Sequence, residues 1–246
     1  MIVANWKCNG SKKMIQDWLK NYMDTLISST DTYVGIAPPY IYVEHFMNLL
    51  IEYGLDIKLG VQDVDKSSGA KTSAISIDMI QDMGCEFTIL GHSERRIIFN
   101  DSNESIAEKL DKVIDKVDAI YCIGESAEEN NTNQTKDILE NQLSIINGQT
   151  IPSNFSIAYE PVWAIGTGNT PSPEDINDIH KFIKDVVQST TENNIVPTVL
   201  YGGSVNEANA ESFFKQNYID GALIGGASLE GRSFANIVNI FNGKNL

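Results

Sequence analysis

The stretch Phe155-Ser156-Ile157-Ala158-Tyr159-Glu160-Pro161 shows the unit from which this chain is built. Its run of mostly apolar residues is typical of a strand that is buried on both faces of a parallel sheet. The run ends in the carboxylate of Glu160, and Pro161 then stops the strand because proline has no N–H for the ladder. A carboxylate at the end of a buried strand, followed by an apolar segment, is a candidate for a catalytic base beneath a lid.

Seven other short apolar runs occur along the chain, and periodic helical patterns separate them. The eight predicted strands cover residues 2–6, 33–37, 57–62, 87–91, 119–124, 155–160, 198–202 and 222–225. Eight strand–helix units in 246 residues give about 31 residues per unit, a normal βα length. Since no linker divides the chain, we predict one domain, residues 1–246, folded as a closed (β/α)₈ barrel, the TIM-barrel fold. An open doubly wound sheet would require a richer glycine turn than Lys7-Cys8-Asn9-Gly10-Ser11 after the first strand.

Composition limits the class of function. The formal net charge is -15, from 33 acidic and 18 basic side chains, so the surface repels nucleic acid and anionic membrane. No apolar run reaches the length of a membrane span, and the N-terminus has no signal-peptide pattern. The cysteines Cys8, Cys85 and Cys122 have neither metal-ligand nor disulfide spacing. We therefore expect a cytoplasmic protein with free thiols and no bound metal.

Polar side chains follow several predicted strands and form a candidate catalytic site. Glu160 precedes an apolar, glycine-ended segment of the kind that closes over a site as a lid. His92 leaves one strand and begins a predicted helix, whose positive N-terminal potential favours a neutral imidazole. Lys7 follows the first strand and would supply a fixed cation to a developing oxyanion. Taken singly, each has an ordinary reading as a solvated acid, a structural histidine or a surface lysine.

Two glycine pairs follow the last two predicted strands, in Gly202-Gly203-Ser204 and Gly225-Gly226-Ala227-Ser228. Either pair alone is typical of a tight turn. Together, after strands seven and eight of a barrel, they predict a phosphate site in which backbone N–H groups approach the anion closely.

The motifs, taken together, resemble those of the triosephosphate isomerases. The matching pieces are Ala4-Asn5-Trp6-Lys7-Cys8-Asn9-Gly10, Gly91-His92-Ser93-Glu94-Arg95-Arg96, Cys122-Ile123-Gly124-Glu125, Ala158 through Gly168, Tyr201-Gly202-Gly203-Ser204-Val205 and Asp220 through Leu229. They stand in the family's order and span the chain nearly end to end. The resemblance implies interconversion of dihydroxyacetone phosphate and glyceraldehyde 3-phosphate in glycolysis and gluconeogenesis, without a cofactor or metal.

The resemblance also implies a role for each site residue. Glu160 would be the base, His92 would polarise the carbonyl and move protons on the oxygens, Lys7 and Asn5 would stabilise the oxyanion, and Glu94 would support the site. The N–H groups of Gly166, Ser204, Gly225 and Gly226 would hold the substrate phosphate. The lid would consist of Pro161, Val162, Trp163, Ala164, Ile165, Gly166, Thr167 and Gly168.

A homodimer is implied as well, with Cys8, Gln62, Thr72 and Arg95 at its interface. The chain departs from the family in the loop after strand three, where Gly69-Ala70-Lys71-Thr72-Ser73-Ala74 ends without the usual Gly-Glu. In the family that acid pairs with the arginine that corresponds to Arg95. We therefore expect a weakened dimer unless Asp63, Asp65 or Asp78 meets the guanidinium.

Two alternatives to the isomerase are a different phosphate-binding barrel isomerase and a non-catalytic descendant that acts as a ligand-binding or surface-interaction protein. The first would share the glycine pairs but need not combine Lys7, His92 and Glu160. The second predicts erosion at those three positions, and the sequence shows none.

Overall fold

The computed structural model describes residues 1–27, 32–164 and 171–243. Eight parallel strands form a closed barrel in sequence order, as predicted. The strands are Ile2–Asn5 (β1), Val34–Ala37 (β2), Lys58–Val61 (β3), Phe87–Leu90 (β4), Asp118–Ile123 (β5), Phe155–Tyr159 (β6), Thr198–Tyr201 (β7) and Ala222–Ile224 (β8). All but β2 end one residue before the predicted run does, so the polar residues lie just beyond the ladder.

Helices lie between the strands and after the last one. They are Lys12–Thr25 (α1), Val43–Tyr53 (α2), Ile77–Asp82 (α3), Ser93–Phe99 (α4), Asn103–Val113 (α5), Ala127–Asn131 (α6), Thr135–Leu143 (α7), Pro173–Thr190 (α8), Ala210–Phe214 (α9) and Gly231–Phe241 (α10). Serine caps begin several of them: Ser11, Ser102, Ser126 and Ser172 each accept a backbone N–H of the first turn. These caps satisfy N–H groups that have no partner within the helix. None of the helices in the described ranges is long and apolar enough to cross a membrane.

Pairing between the first and last strands closes the sheet. Ile2 of β1 lies opposite Val34 of β2 on one side and opposite Ala222 of β8 on the other. Closure leaves the barrel without an edge strand and places the carboxyl ends of all eight strands around one rim.

The apolar residues form two separate clusters. On β5, Ile120 and Cys122 face the barrel interior, whereas Ala119, Tyr121 and Ile123 face the surrounding helices. The alternation follows from the two-residue period of a strand, and both faces are buried because the helices cover the outside. This burial explains why the strands are continuously apolar in the sequence.

The ring of Phe87 fills part of the barrel interior and requires small neighbours. A Cβ on Gly60 would lie 2.5 Å from the ring, and one on Gly35 would lie 3.0 Å from it. The two glycines on β2 and β3 therefore make room for one large side chain from β4.

His180 of α8 is a buried titratable group that packs against the outer face of β6. It is fully buried, it lies 6.0 Å from the ring of Tyr159 between ring centroids, and its Nδ1 is 3.3 Å from the Tyr218 carbonyl oxygen. Burial lowers the pKa of His180 from 6.5 to about 3. The folded protein therefore holds this imidazole in the neutral form.

We expect His180 to make stability depend on pH. Its folded pKa is below the unfolded value, so its contribution is complete above pH 6.5 and is lost as the pH falls from 6.5 toward 3. The free energy of unfolding should fall by at most about 1.4 kcal/mol per pH unit from this group. His180→Asn keeps a donor near Nδ1 and should flatten the curve between pH 7.5 and 5. Denaturant titrations at one protein concentration measure the free energy of unfolding at each pH. If it falls equally with pH in wild type and His180→Asn, His180 is not the cause of the pH dependence.

Candidate active site

The rim of the barrel brings together all the described catalytic candidates. Asn5 ends β1 and is buried, and its Oδ1 accepts the backbone N–H of Lys7 at 3.0 Å. Lys7 has a left-handed backbone with φ of 50°. The Gln62 amide, beyond the end of β3, donates to the carbonyl oxygens of Lys7 and Ala37, each at 2.9 Å. These bonds hold the unusual turn at Lys7 and direct its side chain over the rim.

Glu94 lies in the first turn of α4 and pairs with Lys7. The distance from Lys7 Nζ to Glu94 Oε1 is 2.8 Å, and neither side chain is fully buried. The pair fixes the position of the ammonium group beside the pocket.

His92 caps the N-terminus of α4. Its Nδ1 accepts the backbone N–H of Glu94 at 3.2 Å, which requires a lone pair on that nitrogen. The ring proton is therefore assigned to Nε2, which lies 3.0 Å from Oε1 of Glu160. The imidazole can donate from Nε2 without carrying a positive charge.

Glu160 follows β6 directly and is only 2 % exposed. Its Oε2 accepts the backbone N–H of Ser93 at 2.8 Å, and its Oε1 faces His92. A Cβ on Gly202 would lie 2.8 Å from Cγ of Glu160, so this glycine makes room for the carboxylate. The contribution of Gly202 follows only from the three-dimensional contact.

A pocket of about 330 Å³ lies above these side chains. Its wall is formed by Asn5, Lys7, His92, Glu160, Gly202, Gly203, Ser204, Val205, Asn206, Leu223, Gly225, Gly226 and Ala227. A Cβ on Gly225 would lie 3.6 Å from Cε of Lys7, and one on Gly226 would meet nothing within 4 Å. The glycines expose backbone close to the lysine, which suits the approach of an anion.

The first part of the predicted lid is a short 3₁₀ turn at Val162–Ala164. Ser204 Oγ donates to the carbonyl oxygen of Ala164 at 3.0 Å and joins this segment to the loop after β7. Ile165, Gly166, Thr167 and Gly168 lie outside the described residues, as does the phosphate contact predicted for Gly166.

Glu125 anchors the start of the lid. It is fully buried and accepts hydrogen bonds from the Tyr159 hydroxyl, from Nε1 of Trp163 at 2.8 Å and from the Asn130 amide. Burial raises the pKa of the Tyr159 hydroxyl, and the nearby Glu125 carboxylate raises it further. The hydroxyl therefore stays protonated and donates to Glu125. The sequence places Glu125 after a strand, as it places Glu160, but nothing in the pattern indicates that this acid binds the lid.

The predicted interface residues also come together. Cys8, Gln62, Thr72 and Arg95 all line a cavity of about 630 Å³ that adjoins the catalytic candidates. Asn5, Lys7, His92 and Glu94 contribute to the same wall. The cavity and the candidate active site therefore have Asn5, Lys7 and His92 in common.

Arg95 finds its acids within its own chain. Its guanidinium lies 3.1 Å from Asp63 and 3.2 Å from Asp101. Of the three acids considered from the sequence, Asp63 is correct, whereas Asp65 pairs with Lys71 and Asp78 with Lys116. Asp101 lies just beyond α4, where the left-handed turn at Asn100 brings its carboxylate back to Arg95, and the sequence pattern does not indicate this turn.

Over residues 1–27, 32–164 and 171–243, no group of three or more His, Cys, Asp or Glu side chains is arranged to hold a metal ion. The reactive groups that do meet are a carboxylate, an imidazole and an ammonium group, which can move protons and stabilise negative charge. At the carboxyl rim of a closed eight-stranded barrel, they define the class of (β/α)₈-barrel proteins with an acid–base site.

The comparisons with known proteins identify the family within that class. The chain belongs to the triosephosphate isomerase family, whose model matches residues 1–241. It is 42% identical to the triosephosphate isomerase of Baumannia cicadellinicola subsp. Homalodisca coagulata and 42% identical to that of Sodalis glossinidius (strain morsitans), in each case over 97% of this chain and 95% of the relative. It is 40% identical to the triosephosphate isomerase of Buchnera aphidicola subsp. Cinara cedri (strain Cc) over 98% of both chains.

We expect Gly202→Ala to reduce turnover by about 10²-fold, because the added methyl group must displace the Glu160 carboxylate. The change in KM should be smaller, since the glycines after β8 are untouched. Isomerase assays measure both values, and circular dichroism with thermal unfolding shows that the barrel remains folded. A wild-type kcat in Gly202→Ala would show that turnover does not depend on the room that Gly202 leaves for the Glu160 carboxylate.

Proposed function

We propose that this protein interconverts dihydroxyacetone phosphate and glyceraldehyde 3-phosphate by moving a proton between C1 and C2 through an enediolate. The observation that carries the proposal is the 3.0 Å approach of Glu160 to His92 beside a pocket that also holds Lys7. Membership of the triosephosphate isomerase family supports it. The reaction belongs to glycolysis and gluconeogenesis, and residues 1–246 act as one catalytic domain.

Glu160 is the base. A carboxylate at the end of a buried strand is held by the rigid barrel, which gives it the fixed geometry that proton abstraction requires. In the resting arrangement one oxygen is bound to the Ser93 N–H and the other faces His92. The substrate must enter between Glu160 and His92, so the carboxylate leaves these partners when the substrate binds.

His92, Lys7 and Asn5 act on the oxygens of the substrate. The Nε2 proton of His92 polarises the carbonyl and moves between the two enediolate oxygens. The Lys7 ammonium group and the Asn5 amide stabilise the negative charge that develops there. Glu94 supports the site through its 2.8 Å contact with Lys7.

The backbone N–H groups of Gly166, Ser204, Gly225 and Gly226 hold the substrate phosphate. Among the described residues that line the 330 Å³ pocket, Lys7 is the one ammonium or guanidinium side chain. With a formal net charge of -15, the whole protein repels a dianion, so binding depends on local donors. The reaction needs neither a cofactor nor a metal.

The lid formed by residues 161–168 closes over the bound substrate. Closure excludes water and keeps the enediolate from eliminating phosphate. Hydrogen bonds connect residues 162–164, in the described part of the lid, to the barrel: the Val162 N–H donates to the Glu125 carbonyl oxygen, Trp163 Nε1 to the Glu125 carboxylate, and Ser204 Oγ to the Ala164 carbonyl oxygen. Closure requires a rearrangement of one or more of these bonds.

The protein acts in the cytoplasm as a homodimer. The 630 Å³ cavity beside the site is lined by all four predicted interface residues. Nearby on α4, Ile97, Ile98 and Phe99 are each more than half exposed, which is unusual for three consecutive apolar side chains. The loop that carries Thr72 from a second copy would enter this cavity and support Asn5 and Lys7.

Glu160→Asp tests the base. Shortening the side chain by one methylene retracts the carboxylate by about 1 Å, so kcat should fall about 10²-fold while substrate binding is retained. Glu140→Asp makes the same change on an exposed face of α7 and should leave kcat unchanged. A coupled assay for glyceraldehyde 3-phosphate conversion measures both, and equal kcat for Glu160→Asp and wild type would refute the assignment.

Cys8 tests the homodimer. It is exposed in the single chain, whereas Cys85 and Cys122 are buried, so one thiol should react rapidly with an alkylating reagent. Because a partner's loop would cover Cys8, labelling followed by mass spectrometry should be faster in dilute protein than in concentrated protein. Cys8→Ala should lose the rapid phase. A labelling rate that is independent of protein concentration would count against the dimer.

A further inference from the structure

The indole of Trp18 on α1 makes a hydrogen bond to the turn that follows β8. Its Nε1 donates to the carbonyl oxygen of Ser228 at 2.8 Å, and both residues are buried. Ser228 belongs to the 3₁₀ turn Gly226–Leu229, which lies between β8 and α10. The last carbonyl groups of a helical turn have no partner within the turn, and a buried one needs a donor from elsewhere. Trp18 supplies that donor from the outer layer of the barrel.

Four aromatic rings hold the Trp18 indole in place. It is stacked on Tyr22, with 5.1 Å between ring centroids and 6° between the planes. Trp6 and Phe46 each meet it edge-to-face at 5.9 Å, and Phe234 of α10 lies 5.6 Å away. Rings packed in this way leave the indole little freedom to rotate. The Nε1 donor is therefore fixed in direction as well as in position.

The helices α1 and α10 pack closely around this bond. A Cβ on Gly231, the first residue of α10, would lie 2.1 Å from the Trp18 carbonyl oxygen, so the two helix backbones approach each other directly. Beyond the other end of α1, Asn239 accepts the backbone N–H of Ile27 and donates to the Thr25 carbonyl oxygen, each at 3.1 Å. Helix α1 therefore cannot slide relative to the turn without losing these contacts.

Ser228 passes this restraint to the glycine pair at 225–226. Its backbone N–H and its Oγ both donate to the Gly225 carbonyl oxygen, at 2.9 and 2.6 Å. Packing does little to restrain Gly226, since a Cβ there would meet no described atom within 4 Å. Glycine has the greatest backbone freedom of any residue, so N–H groups on two adjacent glycines need a restraint if they are to face an anion before it arrives. The bonds through Ser228 provide one.

We propose that Trp18 is a positioning residue for phosphate binding: its bond to Ser228 keeps the backbone N–H groups of Gly225 and Gly226 directed at the phosphate of a monoester. The inference rests on the proposed function, which assigns those N–H groups to the substrate phosphate. Trp18 is not among the described residues that line the 330 Å³ pocket, so it acts through the turn. Without the Nε1 donor, the Ser228 carbonyl group must turn toward another donor or toward water, and the glycine N–H groups move with it.

Replacing Trp18 with 3-benzothienylalanine tests the proposal, because sulfur takes the place of the N–H while the two fused rings keep their shape. The dissociation constant for inorganic phosphate, measured from the NMR amide signals of Gly225 and Gly226, should rise about 5- to 10-fold. KM for glyceraldehyde 3-phosphate and the competitive inhibition constant of phosphate should rise by the same factor. Since Glu160 and His92 are untouched, kcat should stay within about twofold of wild type. Trp18→Phe also lacks the N–H and should show the same shift, with a greater loss of thermal stability.

Phe46→Leu is the matched control. It removes a ring that packs on Trp18 but leaves the Nε1 donor, so it should lower the temperature of thermal unfolding without changing KM or the phosphate dissociation constant. An unchanged phosphate dissociation constant in the benzothienylalanine variant, or an equal rise in Phe46→Leu, would overturn the role of Trp18.

The two readouts also separate this inference from the proposed function. A wild-type protein that binds phosphate at Gly225 and Gly226 but does not convert glyceraldehyde 3-phosphate would refute the isomerase, and the phosphate dissociation constants would still decide the role of Trp18. A wild-type protein that converts the substrate while the amide signals of both glycines ignore phosphate would overturn the inference and leave the isomerase standing.

Discussion

Closure of the sheet by pairing β1 with β8 is the constraint on which the rest of the structure depends. It places the loop after the last strand next to the turn after the first, so that Gly225 lies beside the Lys7 side chain. In an open sheet these two ends would be at opposite edges, and the glycines after β8 would have no lysine beside them. The same closure brings His92 and Glu160, which follow β4 and β6, within hydrogen-bonding distance across the rim.

The fold was predictable from the sequence because parallel strands buried on both faces leave a continuous apolar signature. The candidate site was predictable in part, since a barrel places every strand end on one rim, and the positions of Asn5, Lys7, His92 and Glu160 follow from that rule. What the sequence could not give is which side chains meet across different loops. For example, the hydrogen bond from the Ser93 N–H to Glu160 forms only because of the backbone conformation at the start of α4.

Buried acids show the limit of sequence reasoning most clearly. Glu125 and Glu160 each follow a strand and precede a loop, yet one binds Trp163 and Tyr159 whereas the other faces the pocket. Strand position alone does not separate these two arrangements, because the difference arises from which aromatic side chains fold back over each acid. The choice of Asp63 and Asp101 as partners of Arg95 has the same origin, since it is set by how α4 and α5 pack beside β3.

The resting bonds of Glu160 have a consequence for chemical selectivity. The Glu160 carboxylate already contacts the Ser93 N–H and the His92 imidazole, so another molecule must replace both contacts to reach it. Small aldehydes and ketones that lack an anionic group can enter the pocket but have little binding energy with which to break those bonds. The rim thus holds this carboxylate on partners of its own chain, and only a molecule that also binds the protein elsewhere has enough binding energy to replace them.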